Sequence, residues 1–249
     1  MEKILPIWQP IGWSTHEIAR LISEKYNIKT SHTGTLDPMA SGVVIVLTGE
    51  DRLKKYEYAK WSKTYEFEIL FGVRTDTYDA LGLIEEVDFR KTITKKDLIP
   101  ALTSFIGKYD QEVPAYSAIK VKGKSLRHYA RKSFPVELPH RQGEIKGIKL
   151  VSLTKKSYKK VAKEIISNIN KVGGDFRQHV IIEGWEKLVS GDMILVCKIR
   201  VEMSKGLYVR SLAQDICKKL NVLGIANNIV RSKNGSYSKE NSLNLKDIL

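Results

Sequence analysis

Apolar and polar positions along the chain fall into two periods, one helical and one alternating. Ser14-Thr15-His16-Glu17 has the form of a capping box, with Ser14 as N-cap and Glu17 reaching back. Ile18, Leu21 and Ile22 follow at helical spacing, which predicts a helix running to about Tyr26. Val43-Val44-Ile45-Val46-Leu47 is an unbroken apolar run, the form of a buried strand. From Tyr65 onward the pattern alternates: Tyr65, Phe67, Ile69 and Phe71 share one face, Glu66 and Glu68 the other. Residues 193–203 alternate again, with Cys197, Ile199, Val201 and Met203 together, and Ser204-Lys205-Gly206 ends the strand. Helices are predicted over residues 98–105 and 159–170, and a further amphipathic one through Leu212, Ile216 and Leu220. Residues 113–141 are rich in Lys, Arg and Tyr and poor in apolar periodicity. They read as a partly extended loop with a short helix near 126–132. No linker, repeat or low-complexity segment interrupts the series, so one continuous α/β domain over residues 1–249 is expected.

Composition changes the picture through charge. Hydrophobic residues are 42% and charged residues 28%, ordinary for a globular chain with a sizeable core. Lys plus Arg number 42 against 28 Asp plus Glu, a formal net charge of +14. Such an excess attracts polyanions: nucleic acid first, an anionic membrane surface second. The plainer alternative is a surface that is simply lysine-rich. The N-terminus lacks the apolar run of a signal peptide and no segment has transmembrane length, so the membrane reading falls away. Cys197 and Cys217 form no C-x-x-C or zinc spacing, which fits a reducing cytoplasm.

One segment stands out chemically. In His32-Thr33-Gly34-Thr35-Leu36-Asp37-Pro38-Met39-Ala40-Ser41-Gly42, Pro38 pushes Asp37 out of the α region, and the glycines permit backbone shapes closed to other residues. Asp37 therefore sits on a stiff loop just before a buried strand, a common setting for a catalytic side chain. Taken alone, the pattern favours a turn in which Asp37 caps a neighbouring N–H. No second carboxylate lies at the short spacing of an acid/base pair. The histidines at 16, 32, 128, 140 and 179 have no metal-ligand spacing. Phosphate-binding and dinucleotide loops and the G-x-S-x-G elbow are all missing, so no cofactor is expected.

The His32–Gly42 segment closely resembles the G-H-T-G-x-L-D-P-x-A-[ST]-G signature of the TruB family of tRNA pseudouridine synthases. Four further blocks resemble that family in its order. They are Lys63-Thr64-Tyr65, the run from Gly72 through Asp76 to Asp79, the run from Val113 through Lys120 to Gly123-Lys124, and Ser204-Lys205-Gly206-Leu207-Tyr208-Val209-Arg210-Ser211-Leu212. The resemblance spans most of the chain. It implies a mixed, mostly antiparallel sheet with flanking helices and a central RNA-binding cleft. It also implies isomerisation of uridine to pseudouridine at position 55 in the TψC loop of tRNA, with the target base flipped out of its stack.

By the same resemblance, Asp37 is the catalytic aspartate, which either attacks the sugar carbon or removes a sugar proton. Arg210 pairs with it, and Tyr65 stacks on the base and helps remove the C5 proton. Tyr208 and Asp76 shape the pocket, and His32 enters the space that displaced nucleotides leave. Read as residues alone, Tyr65 and Tyr208 are equally core side chains, Asp76 a turn residue, and Arg210 and His32 surface groups. Lys120, Lys122, Lys124, Arg127 and Arg131, interleaved with Tyr116 and Tyr129, form a candidate RNA-contacting loop, or else a solvated basic one.

The chain departs from the family in three places. Gln9 stands where the family usually has a lysine. No small C-terminal RNA-binding domain of the PUA kind is expected. The segment of about 155–188 looks longer than the usual loop and reads as an insertion. The expected partner is the T arm of tRNA, bound by a monomer. Two alternatives remain at this point: a non-catalytic RNA chaperone, and a guide-dependent synthase subunit of a ribonucleoprotein.

Overall fold

The computed structural model describes residues 4–188 and 193–248. The first half of the chain forms β1 (Ile4–Gln9), α1 (Thr15–Tyr26), β2 (Thr30–His32), β3 (Ser41–Thr48), α2 (Lys55–Ala59), β4 (Lys63–Phe71), β5 (Val73–Thr75), β6 (Ile84–Val87), α3 (Lys95–Thr103) and β7 (Gly107–Glu112). There follow β8 (Lys120–Val121), β9 (Lys124–Ser125), α4 (Leu126–Arg131), β10 (His140–Ser157), α5 (Tyr158–Ile169), α6 (Gln178–Lys187), β11 (Met193–Met203), α7 (Val209–Lys219) and β12 (Gly224–Asn234). Two short strands, β13 (Tyr237–Ser238) and β14 (Leu243–Asn244), and α8 (Leu245–Ile248) complete the described chain.

Ten strands form one sheet in the order β14-β1-β3-β12-β4-β11-β10-β7, with β2 on β3 and β13 on β12. All of its pairings are antiparallel except β1 with β14 and β3 with β12. The short β3–β12 contact, Val230 against Ser41 and Arg231 against Gly42, joins the two ends of the chain at the centre of the sheet.

Alternation sorts the core onto the two faces of this sheet. Phe67, Ile69 and Phe71 of β4 and Cys197, Ile199, Val201 and Met203 of β11 pack with α1, α3 and α7. The intervening Leu70, Ile194 and Val196 pack on the opposite face with α5 and α6, where Trp185 is fully buried. Among the described residues no helix is long and apolar enough to cross a membrane.

Three local expectations need correction. The Ser14 hydroxyl accepts the Glu17 N–H at 3.1 Å, but the reciprocal bond, Ser14 N–H to the Glu17 carboxylate, is not formed, so α1 has half a capping box. The basic segment 113–141 is more ordered than a loop. Lys122 (φ 47°) and Gly123 (φ 81°) make a two-residue turn with both central residues left-handed, the kind that matches strand twist, and it closes the β8–β9 hairpin ahead of α4. His140 and Arg141 already belong to β10. The segment 155–188 holds the end of β10, the helix expected over 159–170 as α5, and a second helix, α6, that was not expected; Val161, Ile165, Ile169, Ile181 and Trp185 of the two helices are buried on the sheet.

Candidate active site

Asp37 lies within the 33–40 loop between β2 and β3, and Arg210 lies in the first turn of α7. The two meet across 173 residues of sequence in a bidentate pair: Arg210 Nε donates to Asp37 Oδ2 at 2.9 Å and Nη2 to Oδ1 at 3.1 Å. Two further donors go to backbone carbonyls, Nη1 to that of Thr77 at 2.8 Å and Nη2 to that of Tyr116 at 3.2 Å. A second carboxylate, Asp79, lies 3.6 Å from Nε and is bonded by the Thr77 hydroxyl (2.6 Å) and the Leu81 N–H (2.9 Å). The Arg210 side chain is 3% exposed and that of Asp37 is 35% exposed. One member of the pair is therefore buried framework, while the other faces a cleft.

The charges explain the arrangement. Burial works against the Arg210 cation, but Asp37 and Asp79 overcome it and raise its pKa. Burial raises the pKa of Asp79, and Arg210 partly opposes this. The outcome is a fixed guanidinium that orients the Asp37 carboxylate in two dimensions and compensates a wholly buried aspartate behind it.

Several buried polar side chains hold the loop and the helix start. Arg231, 1% exposed, donates to the carbonyls of Val43 (2.7 Å), Gly34 (3.3 Å) and Thr35 (3.4 Å). Its backbone lies so close to Gly42 (φ 127°) that a Cβ there would stand 2.3 Å from the Arg231 carbonyl oxygen, so glycine is required. Gln9, fully buried, accepts the Thr15 hydroxyl at 2.6 Å and donates to the Trp13 carbonyl at 2.7 Å. The Thr15 oxygen in turn accepts the Leu36 N–H at 3.1 Å. The neutral amide at position 9 thus braces the residue beside Asp37. On the other side Gln111 grips the Tyr208 backbone by both its N–H (2.7 Å) and its carbonyl (3.0 Å). Thr77 and Asp79 lie in the Gly72–Asp79 block that resembles the family, without a role read from it, and Gln111 and Arg231 carry no chemical pattern in the sequence that marks them. A polar residue in a strand ordinarily reads as its solvent face.

The cleft in front of Asp37 holds about 470 Å³, and its walls include Thr35, Asp79, Tyr116, Arg127, Tyr208 and Arg210. Of the residues singled out in the sequence, the cleft gathers Asp37, Arg210, Tyr208, Tyr116, Arg127 and Arg131. Burial first, then Asp37, raises the pKa of the Tyr208 hydroxyl. Asp76 stands just behind the wall, accepting the Leu83 N–H at 2.8 Å. Tyr65 is not part of this wall. It is partly buried against the core and pairs with Val201 and Arg231 in the sheet. Lys120, Lys122 and Lys124 are exposed on the β8–β9 hairpin, away from the cleft wall. His32 lines a neighbouring basic groove with Arg20, Lys29, Arg52 and Lys55, and His16 borders both spaces. Burial, aided by His16, Arg231 and Lys55, lowers the His32 pKa and keeps the ring neutral.

Lys63, two residues before Tyr65, is buried and donates to the carbonyls of Ala59 and Trp61, both at 2.6 Å. Burial, with Arg231 and Lys205, lowers its pKa to about 8. The unfolded chain then holds a proton that the folded chain has released, so stability rises with pH between about 8 and the ordinary lysine value. Comparing urea unfolding of the wild type and Lys63→Gln at pH 7.5 and 9.5 tests this. The wild type should gain about 1–2 kcal/mol relative to the variant at the higher pH.

Comparison with known proteins places these features. The family model described as TruB family pseudouridylate synthase (N terminal domain) matches residues 20–169. The chain is 33% identical over 249 residues to tRNA pseudouridine synthase B of Caldanaerobacter subterraneus subsp. tengcongensis, covering all of this chain and 74% of that protein. It is 31% identical over 245 residues to the protein of the same name from Oceanobacillus iheyensis, covering 98% of this chain and 69% of that one. Among solved structures, the fold matches a chain of a Cbf5-Nop10-Gar1 complex with a TM-score of 0.61 at 19% identity. It also matches a chain of an H/ACA RNP bound to a substrate RNA containing 2'-deoxyuridine, with a TM-score of 0.59 at 17% identity. Each of these two matches covers 98% of this chain, which spans about half the length of the solved chain.

Proposed function

Because the chain belongs to the TruB family of pseudouridine synthases, we propose that it isomerises the uridine at position 55 in the TψC loop of tRNA, with Asp37 as the catalytic group. The observation that carries this reading is the Asp37 carboxylate, aimed by the buried Arg210 into a cleft bordered by basic side chains. The relatives bear the name tRNA pseudouridine synthase B, which supports tRNA as the substrate class.

The target uridine leaves its stack and enters the cleft. The N1–C1′ bond breaks, the base turns, C5 joins C1′, and the C5 proton is lost as N1 gains one. Asp37 either attacks C1′ or removes a sugar proton, and both routes need an aimed carboxylate, whose orientation the guanidinium fixes through two hydrogen bonds. Tyr208 walls the base. Tyr65 is assigned to stack on it and assist the C5 proton loss once RNA is bound. His32, neutral at the edge of the basic groove, is assigned to the gap left by the extruded nucleotide. The lysines of the β8–β9 hairpin, with Arg127, meet the RNA backbone. Asp37 and Arg210 come from one chain, so a monomer suffices.

Tritium release from C5-labelled uridine in transcribed tRNA, with no other protein or RNA present, tests the activity. Release from the wild type is expected, and binding without release from any RNA refutes the reading in favour of an RNA chaperone. Affinity for tRNA should fall steeply with salt. Engagement of about five phosphates gives a log–log slope of roughly −3.5 to −4.5. Filter binding between low and physiological salt measures it, and a flat response excludes the basic surface as the docking face.

A further inference from the structure

The α5–α6 hairpin does more than cover the second face of the sheet. Its connecting segment, residues 170–177, reaches the mouth of the Asp37 cleft, where Phe176 and Arg177 form part of the wall. Arg177 has a left-handed backbone (φ 63°), a conformation that a non-glycine residue holds only when its surroundings enforce it. The enforcement is visible. The Arg177 N–H donates to the Asp175 carboxylate at 3.1 Å, and the Phe176 N–H to the Gln178 side chain at 2.8 Å. The Gln178 amide donates in turn to the carbonyls of Val172 and Gly174.

The Arg177 side chain is committed at two points. Nη1 donates to Asp76 Oδ2 at 2.8 Å, and the guanidinium lies over the Tyr116 ring, 5.0 Å from its centroid. The Tyr116 carbonyl is the one that accepts from Arg210 at 3.2 Å. A continuous set of contacts therefore runs from the hairpin through Arg177 and Tyr116 to Arg210 and Asp37. Beside it, Arg131 of α4 donates to the Asp175 carbonyl and stands over the Phe176 ring, 5.7 Å from its centroid. The basic segment between β7 and β10 is thus tied to the hairpin at both Tyr116 and Arg131.

We propose that Arg177 is a positioning residue for the reaction: through Tyr116 it sets the carbonyl that helps seat the Arg210 guanidinium, and with Phe176 it holds the basic segment at the cleft mouth before RNA arrives. This rests on the reading of Asp37 and Arg210 as the reacting pair. A role as a phosphate clamp is less suited to Arg177, because its charge is already matched by Asp76 and one face of its plane is taken by Tyr116. Small displacements at a reacting centre cost rate rather than affinity.

The test uses the full chain carrying Arg177→Ala, with Arg177→Lys as a gentler second variant. In the free protein, hydrogen exchange of the Leu126 and Arg127 amides, which bond to Ile119 and Ser117, should quicken about fivefold or more in Arg177→Ala, while α7 amides stay unchanged. With saturating tRNA, the single-turnover rate should fall about tenfold or more, with Kd and the salt slope of binding unchanged. Arg177→Lys, which keeps the charge but loses the planar stack, should fall between the two in both measurements. The double variant Arg177→Ala/Tyr116→Ala should be no slower than the slower single variant, since both act through one contact. Unaltered exchange and rate in Arg177→Ala overturn the proposal. So does a loss confined to Kd with the salt slope reduced by about one, the mark of a phosphate contact. A wild type that releases no tritium while the Arg177→Ala amides loosen refutes the proposed function alone. An active wild type with an indifferent Arg177→Ala refutes the positioning role alone.

Discussion

Replacing Asp37 by Asn is expected to lower the single-turnover rate by roughly three orders of magnitude or more while leaving tRNA affinity within about threefold. The amide keeps the shape of the carboxylate and can still accept one bond from Arg210 through its oxygen. It cannot act as nucleophile or base, so the change falls on the reacting step and spares the docking surface. Tritium release under single-turnover conditions, beside filter binding of the same tRNA, separates the two. A loss of binding that accounts for the whole loss of rate contradicts the assignment. Fold should persist, because the Arg210 cation still has Asp79 beside it.

Arg210→Met is expected to abolish measurable turnover and also to destabilise the fold by about 3–5 kcal/mol at neutral pH, since removing one partner leaves a buried charge uncompensated. That charge is on Asp79, which is 6% exposed and whose pKa burial already raises against the pull of Arg210. Without the guanidinium, the folded-state pKa of Asp79 rises further above its unfolded value. A carboxyl raised in this way contributes stability that is present at low pH and lost as pH rises through the folded value. Urea unfolding of Arg210→Met at pH 8 and pH 5.5 should therefore show part of the deficit against wild type recovered at the lower pH. A deficit that does not change with pH means that Asp79 is not the group left exposed to the loss. Asp37→Asn, which leaves the Arg210–Asp79 contact in place, should show no comparable recovery.

Periodicity carried much of the fold. The alternation through Cys197, Ile199, Val201 and Met203 marked β11, and the helical spacing of Ile18 and Ile22 marked α1 with its end at Tyr26. These elements are legible because one face of each meets a single continuous core. The site was far less legible. Nothing local to Asp37 or Arg210 announces their pairing; only resemblance to a family joined them, and it did so without Asp79, which lends the arginine its second counter-charge. Gln111 and Arg231 escaped notice for a common reason. Each is a polar residue on a strand, and alternation assigns such residues to solvent, whereas here each is buried to satisfy backbone groups, Arg231 those of the aspartate loop and Gln111 those of the start of α7. The helicity of α5 was readable, but where residues 170–177 come to rest was not. That position depends on two helices docking onto the even-numbered side chains of β4 and β11, a relation between distant segments that no window of sequence contains.

The parallel contact of β3 with β12 has a consequence for when the protein becomes an enzyme. Ribosomes deliver the aspartate loop early, but the arginine that aims it and the arginine that braces it come from α7 and β12, close to the end of the described chain. A polypeptide stalled or cleaved before those segments retains its aspartate with nothing to orient it. Such a fragment can still be drawn to RNA by its basic residues, yet it has no organised chemistry to perform. With Asp37 as the proposed reacting group, modification is expected only once β3 and β12 have met, and half-made copies are expected to leave the RNA they touch unaltered.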